Sequence, residues 1–345
     1  MMRKILAGCA LSLLAAGPSL TLRAARAAAP QHPSQAPGYY RMMLGDIEIT
    51  ALSDGTFPLK VSEVITGIAP QELAAALSRS FLTDTVEESV NAFLINTGSK
   101  LVLIDTGAGS YFGPTLGRLQ ASLKAAGYRP DQVDEIYITH LHGDHIGGLV
   151  QGGKAAFPNA VVRASQKEAD YWLSKAARDA APQDAKEGFD HALQALQPYV
   201  SAGRFKPFGE PSSGGPSSGG PSSGDPSGGE VTLIPGIRAV PSPGHTAGHT
   251  VYLVQSQGQT LMFWGDTMHV AALQFPDPSV TDAYDADAAA GTAQRKKIFA
   301  DVAEHRYWVA GSHLSFPGIG HLRSAGAGYT YVHSNYTSMQ GIGGE

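Results

Sequence analysis

The stretch Thr139-His140-Leu141-His142-Gly143-Asp144-His145-Ile146-Gly147-Gly148 sets three imidazoles and a carboxylate within six consecutive positions. A core could not bury so many polar groups without partners, and surface decoration rarely clusters in this way. A cation held among them is one physical reading. A hydrogen-bonded polar core, or a metal kept only for folding, is the plainer alternative. Val133 to Ile138 just before it (VDEIYI) reads as a strand. A loop at the C-terminal end of a strand suits ligands, because its root is rigid while its tip is free. His140 and His142, two apart, can project the same way from extended backbone, and Asp144 and His145 then turn aside at the start of a helix. One loop could therefore serve two neighbouring ions, and Gly147-Gly148 would permit close backbone approach beside it.

Further His and Asp residues recur where apolar strand-like runs end. They are His245 and His249 in Pro243-Gly244-His245-Thr246-Ala247-Gly248-His249, Asp266 after Leu261-Met262-Phe263-Trp264-Gly265, and His313 after Ala310-Gly311-Ser312. The rest of the chain alternates between strand-like and helix-like segments. Strands are expected over 47–52, 90–96, 100–104, 133–138 and 231–240, over 250–255 and 259–264 as a hairpin around Gln257-Gly258, and over 307–310. Helices are expected over 114–126, where Leu116, Leu119 and Leu123 recur at helical spacing before Gly127, and over 164–177 and 293–304. Two strand-rich halves followed by helices predict stacked sheets covered by helices, an α/β layer architecture.

The N-terminus, MMRKILAGCALSLLAAGPSLTLRAARAAAP, has the basic start, apolar run and small-residue segment of a signal peptide over 1–27. Gly8, Ser12, Gly17, Pro18 and Ser19 interrupt the run, which makes a membrane anchor the weaker reading. Leu6-Ala7-Gly8-Cys9 resembles a lipidation box, but almost no apolar stretch precedes the cysteine. Cleavage after Ala27 leaves 318 of the 345 residues; it removes four basic residues and no acidic one, taking the formal charge from −5 to −9. It also removes Cys9, the chain's single cysteine, so the mature protein has neither a disulfide nor a thiolate ligand. An acidic chain without a basic run is a poor partner for nucleic acid or other polyanions. The expected location is the periplasm or the extracellular space, with no membrane anchor after processing. Pro211 to Gly229, PSSGGPSSGGPSSGDPSGG, has no apolar side chain and is expected to be a flexible insertion within a single domain over 28–345.

The ordered set His140-x-His142-x-Asp144-His145, then His245, Asp266 and His313, resembles the ligand set of the metallo-β-lactamase superfamily in its dinuclear form. Similarity to the methyl parathion hydrolase group within it extends over most of the mature chain. It is carried by APGYYRMMLGDIEITALSDG (36–55), NTGSKLVLIDTGAG (96–109), FGPTLGRL (112–119), VDEIYITHLHGDH (133–145), FPNAVVRA (157–164) and SHLSFPGIGH (312–321). The Pro/Ser/Gly insertion is the main departure. The resemblance implies a four-layer αββα sandwich with metals at the common edge of its two sheets. It implies that His140, His142 and His245 hold one metal, that Asp144, His145 and His313 hold the other, and that Asp266 bridges them. It places Asp105 behind the ligands, orienting the His loop, and gives His249 a supporting or structural role.

The implied chemistry is hydrolysis of a small neutral ester by a metal-bridging hydroxide, with Asp144 and Asp266 as the catalytic carboxylates. Nitrogen and oxygen ligands suit two Zn2+ ions first, with Mn2+, Fe2+ or Co2+ as alternatives. Lactamases of one large class use a cysteine here and others lack the bridging Asp, so antibiotic hydrolysis is disfavoured. A phosphotriesterase or aryl esterase is the leading expectation and an acyl-homoserine lactonase the runner-up. Phe112, Trp172 and Phe189 match pocket-lining aromatic positions of that group. His269 stands where the relative has an aliphatic residue near the pocket, which would make the rim more polar. His191 and His321 are expected to be structural, and His32 and His333 exposed. Relatives often dimerise, so a homodimer is an expectation.

Overall fold

The alternation of inward and outward side chains builds two large sheets that share a core. A computed structural model describes residue 31 and residues 35–209 and 229–337. The expected signal peptide with Cys9, His32, and all of the 211–229 insertion except Gly229 lie outside the described residues.

The first sheet contains β1 (Tyr39–Leu44), β2 (Ile47–Lys60), β3 (Thr85–Asn96), β4 (Leu101–Ile104), β5 (Glu135–Tyr137) and β6 (Val161–Arg163), paired in that order. The second contains β7 (Val231–Ile234), β8 (Ile237–Pro241), β9 (Thr250–Ser256), β10 (Gln259–Phe263), β11 (Trp308–Ala310), β12 (Ile319–Ala325) and β13 (Gly328–His333), again paired in order. Pairing is antiparallel except where helical crossovers intervene, at β4–β5–β6 and at β10–β11.

Phe93, Ile95, Val102 and Ile104 of the first sheet meet Tyr252, Val254, Leu261 and Phe263 of the second in one buried cluster. Their strand neighbours face the other way. Ala92, Leu94 and Leu103 pack under α1 (Leu119–Ala125) and α3 (Lys186–Ser201), and α2 (Gln166–Trp172) lies between those helices in the chain. Val251, Leu253 and Met262 pack under Ile298, Phe299 and Val302 of α4 (Ala288–Glu304). The layers run helix, sheet, sheet, helix, the αββα sandwich expected from the sequence. The described residues from Pro37 onward make one compact unit, and among them no helix is long and apolar enough to cross a membrane.

Several boundaries differ from expectation, each for a local reason. The helix expected from residue 114 begins only at Leu119, because buried Asp54 takes the backbone N–H groups of Gly117 and Leu119, both at 2.9 Å, and holds the chain in a turn. The helix expected over 164–177 breaks in two, and the Ser174 side chain accepts from the Ala177 N–H to cap the second piece, Lys175–Ala180. The last helix starts at Ala288, five residues early, because the Asp287 carboxylate caps Ala289 and Ala290. The strand expected over 231–240 is a hairpin turning at Pro235-Gly236, and that expected over 90–96 extends back to Thr85. The helices Pro70–Arg79 and Lys186–Ser201 and the hairpin β12–β13 had no counterpart in the sequence reading.

Candidate metal centre

Four loops leave the C-terminal ends of strands in both sheets and converge on one edge. The first follows β5. The chain bends at Thr139, His142 is extended, and a short helix, Gly143–Ile146, carries Asp144 and His145. It lies directly on the loop after β4: a Cβ added at Gly147 would stand 2.0 Å from the Ala108 carbonyl oxygen, and one at Gly148 1.9 Å from that of Thr106. The loops after β8, β10 and β11 deliver His245, Asp266 and His313.

The seven expected ligands fall into two tetrads that share Asp266. His140, His142, His245 and Asp266 form one and Asp144, His145, Asp266 and His313 the other, with ligand atoms in each within 4.8 Å of one another. His142 Nδ1 lies 3.0 Å from both His140 Nε2 and His245 Nε2. Asp266 Oδ2 lies 3.5 Å from His140 Nε2 and 3.4 Å from His245 Nε2. In the second tetrad, the Nε2 atoms of His145 and His313 lie 3.2 Å from Asp266 Oδ1 and 3.4 Å from Asp144 Oδ2.

These spacings fit ions. Four donors bound tetrahedrally at about 2.0–2.1 Å stand about 3.3–3.4 Å apart. The far nitrogens of four imidazoles already have oxygen partners: Thr139 Oγ1 for His140 at 3.1 Å, Asp105 for His145 at 2.9 Å, Asp285 for His245 at 3.1 Å and the Ser89 carbonyl for His313 at 2.9 Å. With protons on those outer nitrogens, the inner ones turn lone pairs toward one another and toward carboxylates, which is unfavourable unless a cation lies between them. Burial holds His142 down to about 3 and His245 down to about 4, in the neutral form that ligates. At His145 burial pulls downward too, but the carboxylates of Asp266, Asp144 and Asp105 override it and raise the imidazole well above its usual value, marking a strongly cation-seeking position.

Asp105 ends β4 at φ +57° and accepts from the Thr139 N–H at 2.8 Å, the Thr139 hydroxyl at 2.9 Å and His145 Nδ1. It thus fixes both the root of the His loop and one ring on it. His249 Nε2 accepts the Asp266 N–H at 3.1 Å and its Nδ1 faces the Ser242 carbonyl, so it aims the backbone of Asp266. Sequence reasoning missed four further supports. Glu168, 1% exposed, accepts from Leu141 N–H at 3.0 Å and Gly248 N–H at 2.8 Å, tying the first two ligand loops together. Asp282 holds His269 Nδ1 at 3.2 Å, and Asp285 holds His245. Buried Arg295 lies within 3.5 Å of both carboxylates and donates to the Thr267 and Val280 carbonyls. Lone charged residues with no ligand-like spacing gave no signal; burial alone reveals them.

A cavity of about 350 Å³ opens onto both tetrads. Phe112 and His269 are among its lining residues, with Phe57, Glu88, His191 and Tyr284. Trp172 and Phe189 correct the expectation: they are not among the lining residues. Trp172 stands edge-on to His142 at 5.4 Å and packs against Phe189 at 4.8 Å, so α2 and α3 place this pair behind the ligand loop. His269 is also no polar rim residue. It is 5% exposed, and its two nitrogens face Asp282 and Asp266. His191 stacks on Tyr111 at 3.9 Å in the cavity wall. His321 faces the Tyr307 carbonyl and packs on Trp308, apart from the cavity, and His333 is exposed at the end of β13.

Residues 85–308 match the family model of the metallo-beta-lactamase superfamily. Among solved structures, the chain is similar to AbOPH, a hydrolase in the beta lactamase superfamily, at 35% identity and TM-score 0.78, covering 88% of this chain and all of that one. It is also similar to AidC, a dizinc quorum-quenching lactonase seen with the product N-hexanoyl-L-homoserine, at 27% identity and TM-score 0.76, over 87% of this chain and 98% of that one. A probable metallo-hydrolase of Mycobacterium tuberculosis is 29% identical over 196 residues, 52% of this chain and 56% of that protein. The chain thus spans about half the length of the curated relatives it matches.

Proposed function

Because the chain belongs to the metallo-β-lactamase superfamily, we propose that it hydrolyses small esters whose reacting group is neutral, phosphotriesters and aryl esters first, at a pair of divalent ions. Metal-dependent hydrolysis follows from that membership; the choice of ester has to come from the site. His140, His142 and His245 would hold one ion, Asp144, His145 and His313 the other, and Asp266 both. When bound, such a pair supplies Lewis acidity, acidifying water and accepting the negative charge that develops on an ester oxygen.

The chain's own residues supply the rest. Asp105, Asp285 and the Ser89 carbonyl lock three imidazoles with their ligating nitrogens turned inward. Asp144, with its side chain 19% exposed against 3% for Asp266, is the more exposed of the two ligand carboxylates in the cavity lining and would orient the attacking water. Phe57, Phe112 and Tyr284 give apolar surface that displaces solvent from the ester and stacks on an aryl group.

The observation that carries this reading is the pairing of two tetrads with a cavity whose described lining residues include no lysine or arginine. Beyond the ions themselves and the His269 imidazole, anionic phosphomonoesters and phosphodiesters would find no counter-charge among the described lining residues, whereas triesters, aryl esters and lactones need none. A lactonase is the second reading, favoured by the likeness to AidC over almost the whole of both chains. Zinc is proposed first, on the all-nitrogen-and-oxygen donor set. Export through residues 1–27 belongs to the same proposal and rests on the sequence.

Specificity constants of the metal-loaded protein on a nitrophenyl phosphotriester, an aryl ester and an acyl-homoserine lactone test the reading. Hydrolysis of at least one, abolished by a chelator and restored by zinc, supports it. Inertness toward all three with two ions bound refutes it.

A further inference from the structure

Glu88 is a carboxylate that the metal tetrads do not use. It lies in the cavity wall at 4% exposure, and neither of its oxygens has a hydrogen-bond partner. The nearest cation-capable atom, His313 Nδ1, is 3.7 Å away and faces the Ser89 carbonyl at 2.9 Å instead. Its strand neighbour Glu87 points to the other face of β3, where it accepts from the Thr56 hydroxyl at 2.8 Å. Leaving a buried carboxylate without a partner is costly, so a group that arrives with the substrate is the natural complement.

The surroundings specify which group. Phe57 is the cross-strand partner of Glu88 in the β2–β3 pairing, so ring and carboxylate stand side by side. Tyr284 supplies a second ring to the same cavity, and Asp184 and Glu187 add carboxylates to its lining. Aromatic faces beside a desolvated carboxylate, with no lysine or arginine among the described lining residues, favour an organic ammonium group.

Resting on the ester-hydrolase reading above, we infer that Glu88, Phe57 and Tyr284 form a subsite for a cationic amine, protonated or quaternary, on the non-reacting arm of the ester substrate. The amine supplies the missing charge for Glu88 while its methylene or methyl groups lie on the rings. A neutral amide N–H would satisfy one Glu88 oxygen but gain nothing from the rings or from Asp184 and Glu187.

The test uses two nitrophenyl esters of the same shape, one of trimethylammoniobutanoate and one of its carbon isostere, dimethylhexanoate. Each rate is normalised to the ester's own hydroxide-catalysed rate, and metal content is measured throughout. The metal-loaded wild type is expected to favour the cationic ester in kcat/KM by about tenfold. In Glu88→Gln that ratio falls toward one, and in Phe57→Leu it falls part of the way. Binding of benzyltrimethylammonium to the metal-loaded protein, followed by calorimetry, gives a readout that needs no turnover, and Glu88→Gln weakens it.

Equal rates on the two esters in the wild type would overturn the subsite while leaving ester hydrolysis standing. So would a Glu88→Gln variant that loses metal but keeps the ratio, since Glu88 would then serve only to balance the charge of the ions. Benzyltrimethylammonium binding that depends on Glu88, with neither ester hydrolysed, would support the subsite and sink the hydrolase reading.

Discussion

Asp105→Asn isolates the support behind the metal centre from the ligands themselves. Asparagine keeps the shape of the side chain and tolerates the φ of +57° that residue 105 adopts, so the backbone has no reason to move. The hydrogen-bonding pattern does change. One carboxylate oxygen accepts from the Thr139 N–H at 2.8 Å, and the other from the Thr139 hydroxyl and His145 Nδ1, both at 2.9 Å. An amide replaces one of those acceptors with an NH2 group, which meets a donor whichever way it is flipped. With the NH2 in the Oδ2 position His145 loses the partner that fixes its ring and enriches its ligating nitrogen; in the other flip it keeps only a neutral acceptor, while the NH2 meets the Thr139 N–H at the root of the His loop. Loss of such a partner costs about 10–100-fold in metal affinity, or about 1.4–2.7 kcal/mol. The effect should fall on the ion held by Asp144, His145 and His313. Chelator competition on wild type and variant should therefore show one site weakened by that factor and the other nearly unchanged. The apo variant should also melt lower, since hydrogen bonds to a charged group contribute about 1.5–3 kcal/mol each. Two sites of wild-type affinity in Asp105→Asn would refute the reasoning.

Asp266→Ala removes the one ligand common to both tetrads, so bound metal measured by elemental analysis should fall at both sites, with activity reduced to that of the metal-free protein. Arg295→Met leaves Asp282 and Asp285 facing each other without their buried cation and should cost about 3–5 kcal/mol in unfolding free energy, read by denaturant titration. Gly148→Ala drives a Cβ to 1.9 Å from the Thr106 carbonyl oxygen, a backbone atom that cannot swing away; stability should fall by about 1–3 kcal/mol, with weakened metal binding as the His loop lifts from the loop after β4.

The parts of the molecule that were legible in the sequence share a physical cause. The His loop and the isolated His and Asp at strand ends stand out because polar ligands interrupt apolar runs abruptly, and those seven residues do lie together. The stacked sheets covered by helices were readable because two strand-rich halves are each followed by helical segments, and the αββα order followed from the resemblance. Supports that depend on one buried charge meeting distant backbone were not readable. Asp54 shortens a helix it is far from in sequence, Glu168 joins two loops, and Arg295 reaches two carboxylates and three carbonyls. The aromatic expectation failed in part for a related reason. Apolar residues serve equally as pocket wall and as packing, and only the tertiary arrangement put Phe112 in the cavity and Trp172 and Phe189 behind His142.

The account depends most on two cations meeting at Asp266. Anomalous diffraction from crystals of the zinc-loaded protein tests this directly. Two metal peaks should lie on opposite sides of the Asp266 carboxylate, one against His140, His142 and His245 and the other against Asp144, His145 and His313. A single peak, or zinc bound elsewhere with these side chains left free, would contradict it.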